Sequence, residues 1–365
     1  MGTNQIGPRA IVGRRRFPHT FGPISRYTDN NATDYKGEKI IKKRFAVTLV
    51  AASFGVTGAS AAQTDVDKHV LAAQQAAGTD FAGTLSVLCI QPSDGSDPGA
   101  AQRTANAGKP RAIPARDTWY AEPAKVFDNV YWLGTKFHSA WAIKTSAGII
   151  LIDTMYNYAA ETEIIGGLKK LGLDPATIKY VIVSHGHGDH DEGAKLLQDR
   201  YGARIIMGAP DWDAIIKAGN MAGGVPKRDM VATDGQKLTL GDQTITIIQT
   251  PGHTLGTLSY LIPVKDNGKP LTVAYSGGMG FNFARSPERF DTYIKSAEKM
   301  RAAAKSAGAS IVFSNHSMYD LAWVRSRVAR KPGEPSPFVI GTDAVDRYFT
   351  VLRECAMAGK LRLKK

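Results

Sequence analysis

The chain has 365 residues, of which 43% are hydrophobic, 22% charged and 8% aromatic; this is a foldable globular composition and excludes a wholly disordered, collagen-like or repeat-biased chain. No apolar run approaches the roughly 20 residues of a spanning helix, which excludes a polytopic membrane protein. The net charge of +13 is uneven: residues 1–61 hold ten Lys and Arg against three Asp and Glu, and the remainder carries only +6, so no nucleic-acid partner is expected.

Residues 1–41 are rich in Gly, Arg and Asn and lack apolar periodicity, which predicts disorder. His19 lies among them and has no role that can be argued. Lys42, Lys43 and Arg44 then form a basic start, Phe45 to Val56 is mostly apolar, and Ala59-Ser60-Ala61 supplies small residues. That order predicts a secretory signal at 42–61, cleaved after Ala61. The competing reading is a buried helix near the N-terminus. Export places the mature protein in the periplasm or outside the cell, with no membrane attachment after cleavage. The expected organisation is a leader at 1–61, an N-terminal arm and linker at 62–117, and one domain with C-terminal helices at 118–365. In an oxidising compartment Cys89 and Cys355 can pair and tie the two ends together; two separate buried thiols is the other reading.

From residue 125 the pattern becomes regular. Val130–Gly134, Ala140–Lys144 and Gly148–Asp153 read as short strands. Ala159–Leu171 reads as a helix closed by Gly172. Tyr180–Ser184 is a fully apolar strand, as expected for one covered on both faces. A polar, His-rich segment follows it, then a helix from about Asp191 to Arg200. Arg204–Met207 reads as a strand and Asp211–Ala218 as a helix. Lys237–Leu240 and Gln243–Gln249 form a hairpin around Gly241-Asp242, and Thr257–Pro263 and Leu271–Tyr275 are strands. Pro287–Ala307 is a helix with proline in its first turn, and Ser310–Ser314 is a strand. Helices over Tyr319–Arg330 and Thr342–Gly359 finish the chain. Hairpins followed by strands alternating with helices, in two successive halves, predict an α/β four-layer αββα sandwich. Trp132, Trp141 and Trp212 read as packing residues.

The segment Ser184-His185-Gly186-His187-Gly188-Asp189-His190 puts three imidazoles and a carboxylate within six residues, directly after an apolar strand. Neutral imidazole and carboxylate are the donors divalent zinc takes. Residues two apart on extended chain face the same way, so His185 and His187 can grip one ion. Asp189 and His190 lie one turn on and can reach a second.

This segment resembles the HxHxDH signature of the metallo-β-lactamase superfamily, and the resemblance runs over roughly residues 118–320. Ile149–Asp153 (IILID) is similar to the family's second motif, which implies that Asp153 buttresses the metal loop without binding metal. Pro251–Thr257 (PGHTLGT) is similar to the turn that carries the third histidine of the first metal. Ser314-Asn315-His316 is similar to the strand end that serves the second. One departure is informative. Many hydrolases of this superfamily carry a bridging Asp after the strand that here is Leu271–Tyr275, and this chain reads Ser276-Gly277-Gly278 there. That pattern resembles the subclass B3 metallo-β-lactamases. It implies two zinc ions, the first on His185, His187 and His253 and the second on Asp189, His190 and His316.

The chemistry implied is hydrolysis of the amide of a β-lactam ring. Two divalent ions sharing one water lower its pKa towards neutrality and polarise the carbonyl, and Asp189 orients the attacking hydroxide. Ser276 and Asn282 are candidates for binding a substrate carboxylate. His138 borders the site and reads as a satisfied structural histidine. Partners are confined to a small-molecule substrate. The rival readings are a same-fold hydrolase of a lactone, thioester or other ester, and a nucleic-acid-processing or nucleic-acid-binding protein.

Overall fold

Among the described residues, β-branched and apolar runs separated by Gly, Asp and Asn turns make twelve strands, arranged as two sheets. The structure is a computed structural model that describes residues 59–92, 95–97, 99–101 and 112–363. Residues 1–58, which hold the expected disordered segment and most of the expected signal, lie outside the described residues. The described residues form one compact unit.

The first sheet runs in sequence order: β1 (Ala124–Lys125), β2 (Val130–Trp132), β3 (Trp141–Thr145), β4 (Gly148–Ile152), β5 (Ile178–Ile182), β6 (Arg204–Gly208) and β7 (Met230–Ala232). It is antiparallel up to β4 and parallel from β4 to β7. The second sheet contains β8 (Lys237–Leu240), β9 (Gln243–Gln249), β10 (Leu258–Asp266), β11 (Lys269–Ser276) and β12 (Ile311–Ser314), in the order β12-β11-β10-β9-β8. All of its pairs are antiparallel except β11 with β12. The hairpin Lys237–Gln249 has the bounds expected from its Gly-Asp turn. β1 and β7 are short edge strands with too few residues to show a period.

Three apolar cores separate four layers. Trp132, Trp141, Ile152, Ile182, Tyr260 and Phe313 meet between the sheets, where the Trp141 indole stacks on Phe313 at 3.6 Å. Leu151, Val181, Ile205, Leu168, Leu197 and Trp212 pack the outer face of the first sheet against helices over residues 157–170, Ala194–Tyr201 and Ala209–Ala218. Phe81, Leu88, Phe290, Val312, Tyr348 and Phe349 pack the second sheet against Pro287–Ser306, Thr342–Arg362 and the two N-terminal helices, Ala59–Ala77 and Ala82–Cys89. The central strands are apolar on both faces because both faces are covered. Burial of each large side chain contributes roughly 1.5–3 kcal/mol.

Several expected elements take a different form. The segment from Ala59 is helical, and the region expected as arm and linker supplies two helices to the third core. Cys89 is disulfide-bonded to Cys355 of the C-terminal helix, and His69 Nδ1 lies 2.6 Å from Glu354 Oε2. The helix expected from Ala159 is interrupted by a π-helical stretch, Ala160–Ile165. The helix expected over Tyr319–Arg330 breaks into two turns, Ser317–Asp320 and Ala322–Arg325, because Leu321 between them has φ 57°. No described helix is long and apolar enough to cross a membrane.

Candidate metal centre

β4 and β5 are parallel, so their C-terminal ends emerge on one rim of the sandwich. β5 opens into the His185–His190 loop. β4 ends at Asp153, which with Met155 takes φ 61°, a conformation costly for residues with a Cβ. Hydrogen bonds hold that turn. Ser184 N donates to Asp153 Oδ1 at 2.7 Å, and the Ser184 and Tyr275 hydroxyls donate to Oδ2 at 2.8 and 3.0 Å. Thr154 N donates to the His190 carbonyl at 2.8 Å. Asp153 Oδ2 also lies 3.1 Å from His190 Nδ1. The expected buttress is therefore in place, and it orients His190 through its outer nitrogen.

His185, His187 and His253 converge first. His253 Nε2 lies 3.0 Å from both His185 Nε2 and His187 Nδ1. The outer nitrogens are committed: His185 Nδ1 is 2.8 Å from the Gly277 carbonyl and His253 Nδ1 is 2.7 Å from that of Gly280. A carbonyl only accepts, so each Nδ1 carries the proton and each Nε2 presents a lone pair. Two lone pairs facing at 3.0 Å fit a shared cation, which is the match between this donor set and a bound metal. Burial holds both rings neutral, His185 well below its ordinary value and His253 down to about 3. Gly278 permits this approach, since a Cβ there would sit 2.8 Å from His253 Cβ.

Asp189, His190 and His316 form the neighbouring cluster, with the His190 and His185 ring centroids 4.4 Å apart. Asp189 Oδ2 is 3.3 Å from His190 Nε2 and 3.5 Å from His316 Nε2, and the two imidazole nitrogens are 3.2 Å apart. Burial opposes a charge on His190, but the Asp189 and Asp153 carboxylates outweigh it and push its pKa up to about 10. All six expected ligands thus lie in two adjacent groups on one rim.

The two substrate candidates differ in exposure, and Asn282 lies close to the His253 turn, its Oδ1 3.0 Å from where a Cβ on Gly280 would sit. Ser276 is 4% exposed and lines a small cavity with Thr250, Ser259, Tyr293 and Phe349. Packing of β11 under the helices puts it there, against the expectation that it meets substrate. Asn282 is exposed in the loop after β11. Trp132, Trp141 and Trp212 are fully buried, as expected.

Two supporting residues escaped the sequence reading, and a third was read differently. Asp211 accepts from Gly186 N at 2.9 Å, the Thr254 hydroxyl at 2.7 Å and Gly256 N at 3.1 Å, locking the His185–His190 loop to the His253 turn. In sequence it looks like an ordinary acid in a helical first turn. Asn315 Nδ2 donates to the Gly277 carbonyl at 2.7 Å and to Ser184 Oγ at 3.0 Å. His138 was read as structural and stands against the second cluster, its Nε2 3.6 Å from Asp189 Oδ2.

Comparison with known proteins agrees with this geometry. Residues 133–266 match the metallo-β-lactamase superfamily. The fold is similar to that of a subclass B3 metallo-β-lactamase of Bradyrhizobium japonicum, with TM-score 0.57 and 29% identity over 64% of this chain and 92% of that one. It is similar in fold to a β-lactamase from Chitinophaga pinensis, with TM-score 0.58 and 23% identity over 70% and 99%. By sequence the chain is 32% identical over 118 residues to the hydroxyacylglutathione hydrolase of Acidiphilium cryptum, covering 32% of this chain and 44% of that one. It is 29% identical over 172 residues to that of Mesorhizobium japonicum, covering 47% and 60%. The chain thus spans about half the length of these curated relatives. The signature loop, its buttress, the fold and the family match together make this chain a bearer of a metallo-β-lactamase superfamily domain.

Proposed function

We propose that the protein is a zinc-dependent hydrolase that opens the amide of a β-lactam ring, using two zinc ions. The observation that carries the reading is the pairing of two adjacent donor groups with a Ser-Gly-Gly sequence where related hydrolases place a bridging carboxylate. The likeness to the Bradyrhizobium japonicum enzyme over nearly its full length supports it.

His185, His187 and His253 would hold the first ion, and Asp189, His190 and His316 the second. Such ions supply Lewis acidity and lower the pKa of water. The protein's part is to fix the donors before substrate arrives. Gly277 and Gly280 carbonyls aim two imidazoles inward, Asp153 aims a third, and Asp211 holds the two loops in register. Asp189 orients the attacking water. The two described cysteines are joined to each other, so a thiol nucleophile has no place in this reading. The reading includes export, and N-terminal sequencing of protein from a periplasmic fraction should begin near Ala62.

A second reading is hydrolysis of a glutathione thioester, favoured by the names of the curated sequence relatives. A chromogenic cephalosporin and a hydroxyacylglutathione thioester, assayed side by side with and without a chelator, separate the two. Chelator-sensitive turnover of the cephalosporin alone is expected; turnover of the thioester alone replaces the first reading with the second.

A further inference from the structure

We propose that His138 is a further protein ligand of the second ion, beside Asp189 and His316. The proposal rests on the reading of Asp189, His190 and His316 as a metal site. His138, Asp189 and His316 each offer one donor atom within 4.8 Å of the other two. Around Asp189 Oδ2 the distances to His190, His316 and His138 Nε2 are 3.3, 3.5 and 3.6 Å. Donors bound at about 2.0–2.1 Å in a tetrahedron stand about 3.3 Å apart. The His138 distance is too long for a direct hydrogen bond and close to that tetrahedral edge.

The backbone puts His138 there. It pairs with His316 in an isolated antiparallel bridge. Ser139 N donates to the Asn315 carbonyl and Ser317 N to that of Phe137, each at 2.9 Å. His138 N is held by the Thr135 hydroxyl at 2.9 Å. The ring is only 18% exposed, and its centroid is 5.1 Å from that of His316. A segment clamped on both sides of His316 delivers a side chain to the same point as His316 itself.

This arrangement bears on the missing carboxylate. The second sheet offers Ser276, not Asp, at the end of β11, and the first sheet offers an imidazole just before β3.

Cobalt-loaded protein, with the two ions counted, tests this by paramagnetic NMR and by metal titration of His138→Ala. Six histidines with hyperfine-shifted ring signals are expected in the parent protein and five in the variant. The second ion should dissociate more readily by more than the roughly hundredfold that losing an outer-shell partner can cost, while the first keeps its affinity and so reports an intact fold. Five shifted histidines in the two-ion parent, with second-ion affinity unchanged in the variant, overturn the assignment of His138 alone. A parent protein that binds a single ion overturns the two-ion reading and this proposal together.

Discussion

At the scale of single residues, the two clusters predict an ordering of losses. His316→Ala should leave about one tightly bound zinc per chain, and His187→Ala should compromise the first site instead. Asp189→Asn should lower turnover by more than its zinc content explains, because it removes a donor and the group that orients water. Metal counting beside hydrolysis rates on the three variants is the check; His316→Ala with two zincs and full activity contradicts the six-ligand assignment. Asp320 gives a different kind of test. Burial pushes its carboxyl up to about 7, against hydrogen bonds from Ala322 N and Ser314 N that pull it down. Its folded pKa therefore lies above the unfolded value near 3.9. The folded state holds the proton more tightly, so this group's contribution is full below about pH 4 and is lost as pH rises towards 7. Asp320→Asn should remove that slope, worth up to about 1.4 kcal/mol per pH unit. Urea unfolding of both proteins at pH 5 and pH 8 should show the variant gaining on the parent at the higher pH.

At the scale of elements, the N-terminal helices belong to the domain's own packing. Phe81 and Leu88 are buried in the core that also holds Tyr348 and Phe349 of the C-terminal helix, and Phe81 meets Tyr348 edge-to-face at 5.3 Å. The Cys89–Cys355 bond closes a loop across a sequence separation of 266. Cross-linking so distant a pair restricts the unfolded chain, and its loss should cost about 2–4 kcal/mol. Intact-mass measurement should find the unreduced protein two hydrogens lighter, without a thiol open to alkylation. Cys355→Ala should unfold at lower denaturant by an amount in that range. Two alkylatable thiols in folded, air-exposed protein would contradict the bond.

At the scale of the whole molecule, the candidate centre joins loops from both sheets. His185 and His187 follow β5 of the first sheet, while His253 lies between β9 and β10 and His316 follows β12 of the second. An ion bound to the folded state alone should therefore stabilise the sandwich as a unit, by about 4 kcal/mol at a thousandfold excess over Kd. For a domain of this size that corresponds to roughly 10 °C in Tm. Calorimetry with and without a chelator should show that drop, reversed by added zinc. A Tm indifferent to chelation would mean that the loops are held by Asp153, Asp211 and Asn315 without help.

The sequence by itself determined the elements whose cause is local. Apolar runs bounded by turn residues located the central strands, the Gly241-Asp242 turn located its hairpin, and Pro287 marked a helix start. The six candidate ligands were legible for the same reason, since each sits in a short motif at a strand end. Only the tertiary structure decided what depends on neighbours distant in the chain. His138 reads in the sequence as a structural histidine at the border of the site, and only the bridge to His316 brings it to Asp189. Asp211 looks like a helix-end acid until three donors from two loops converge on it. Ser276 looked available to substrate until the helices closed over it. The helix break at Leu321 likewise follows from surroundings, because the Asp320 carboxylate accepts from both Ser314 N and Ala322 N and so fixes the chain on either side of that turn. Periodicity records which face of an element is apolar; which elements share a face is set by packing.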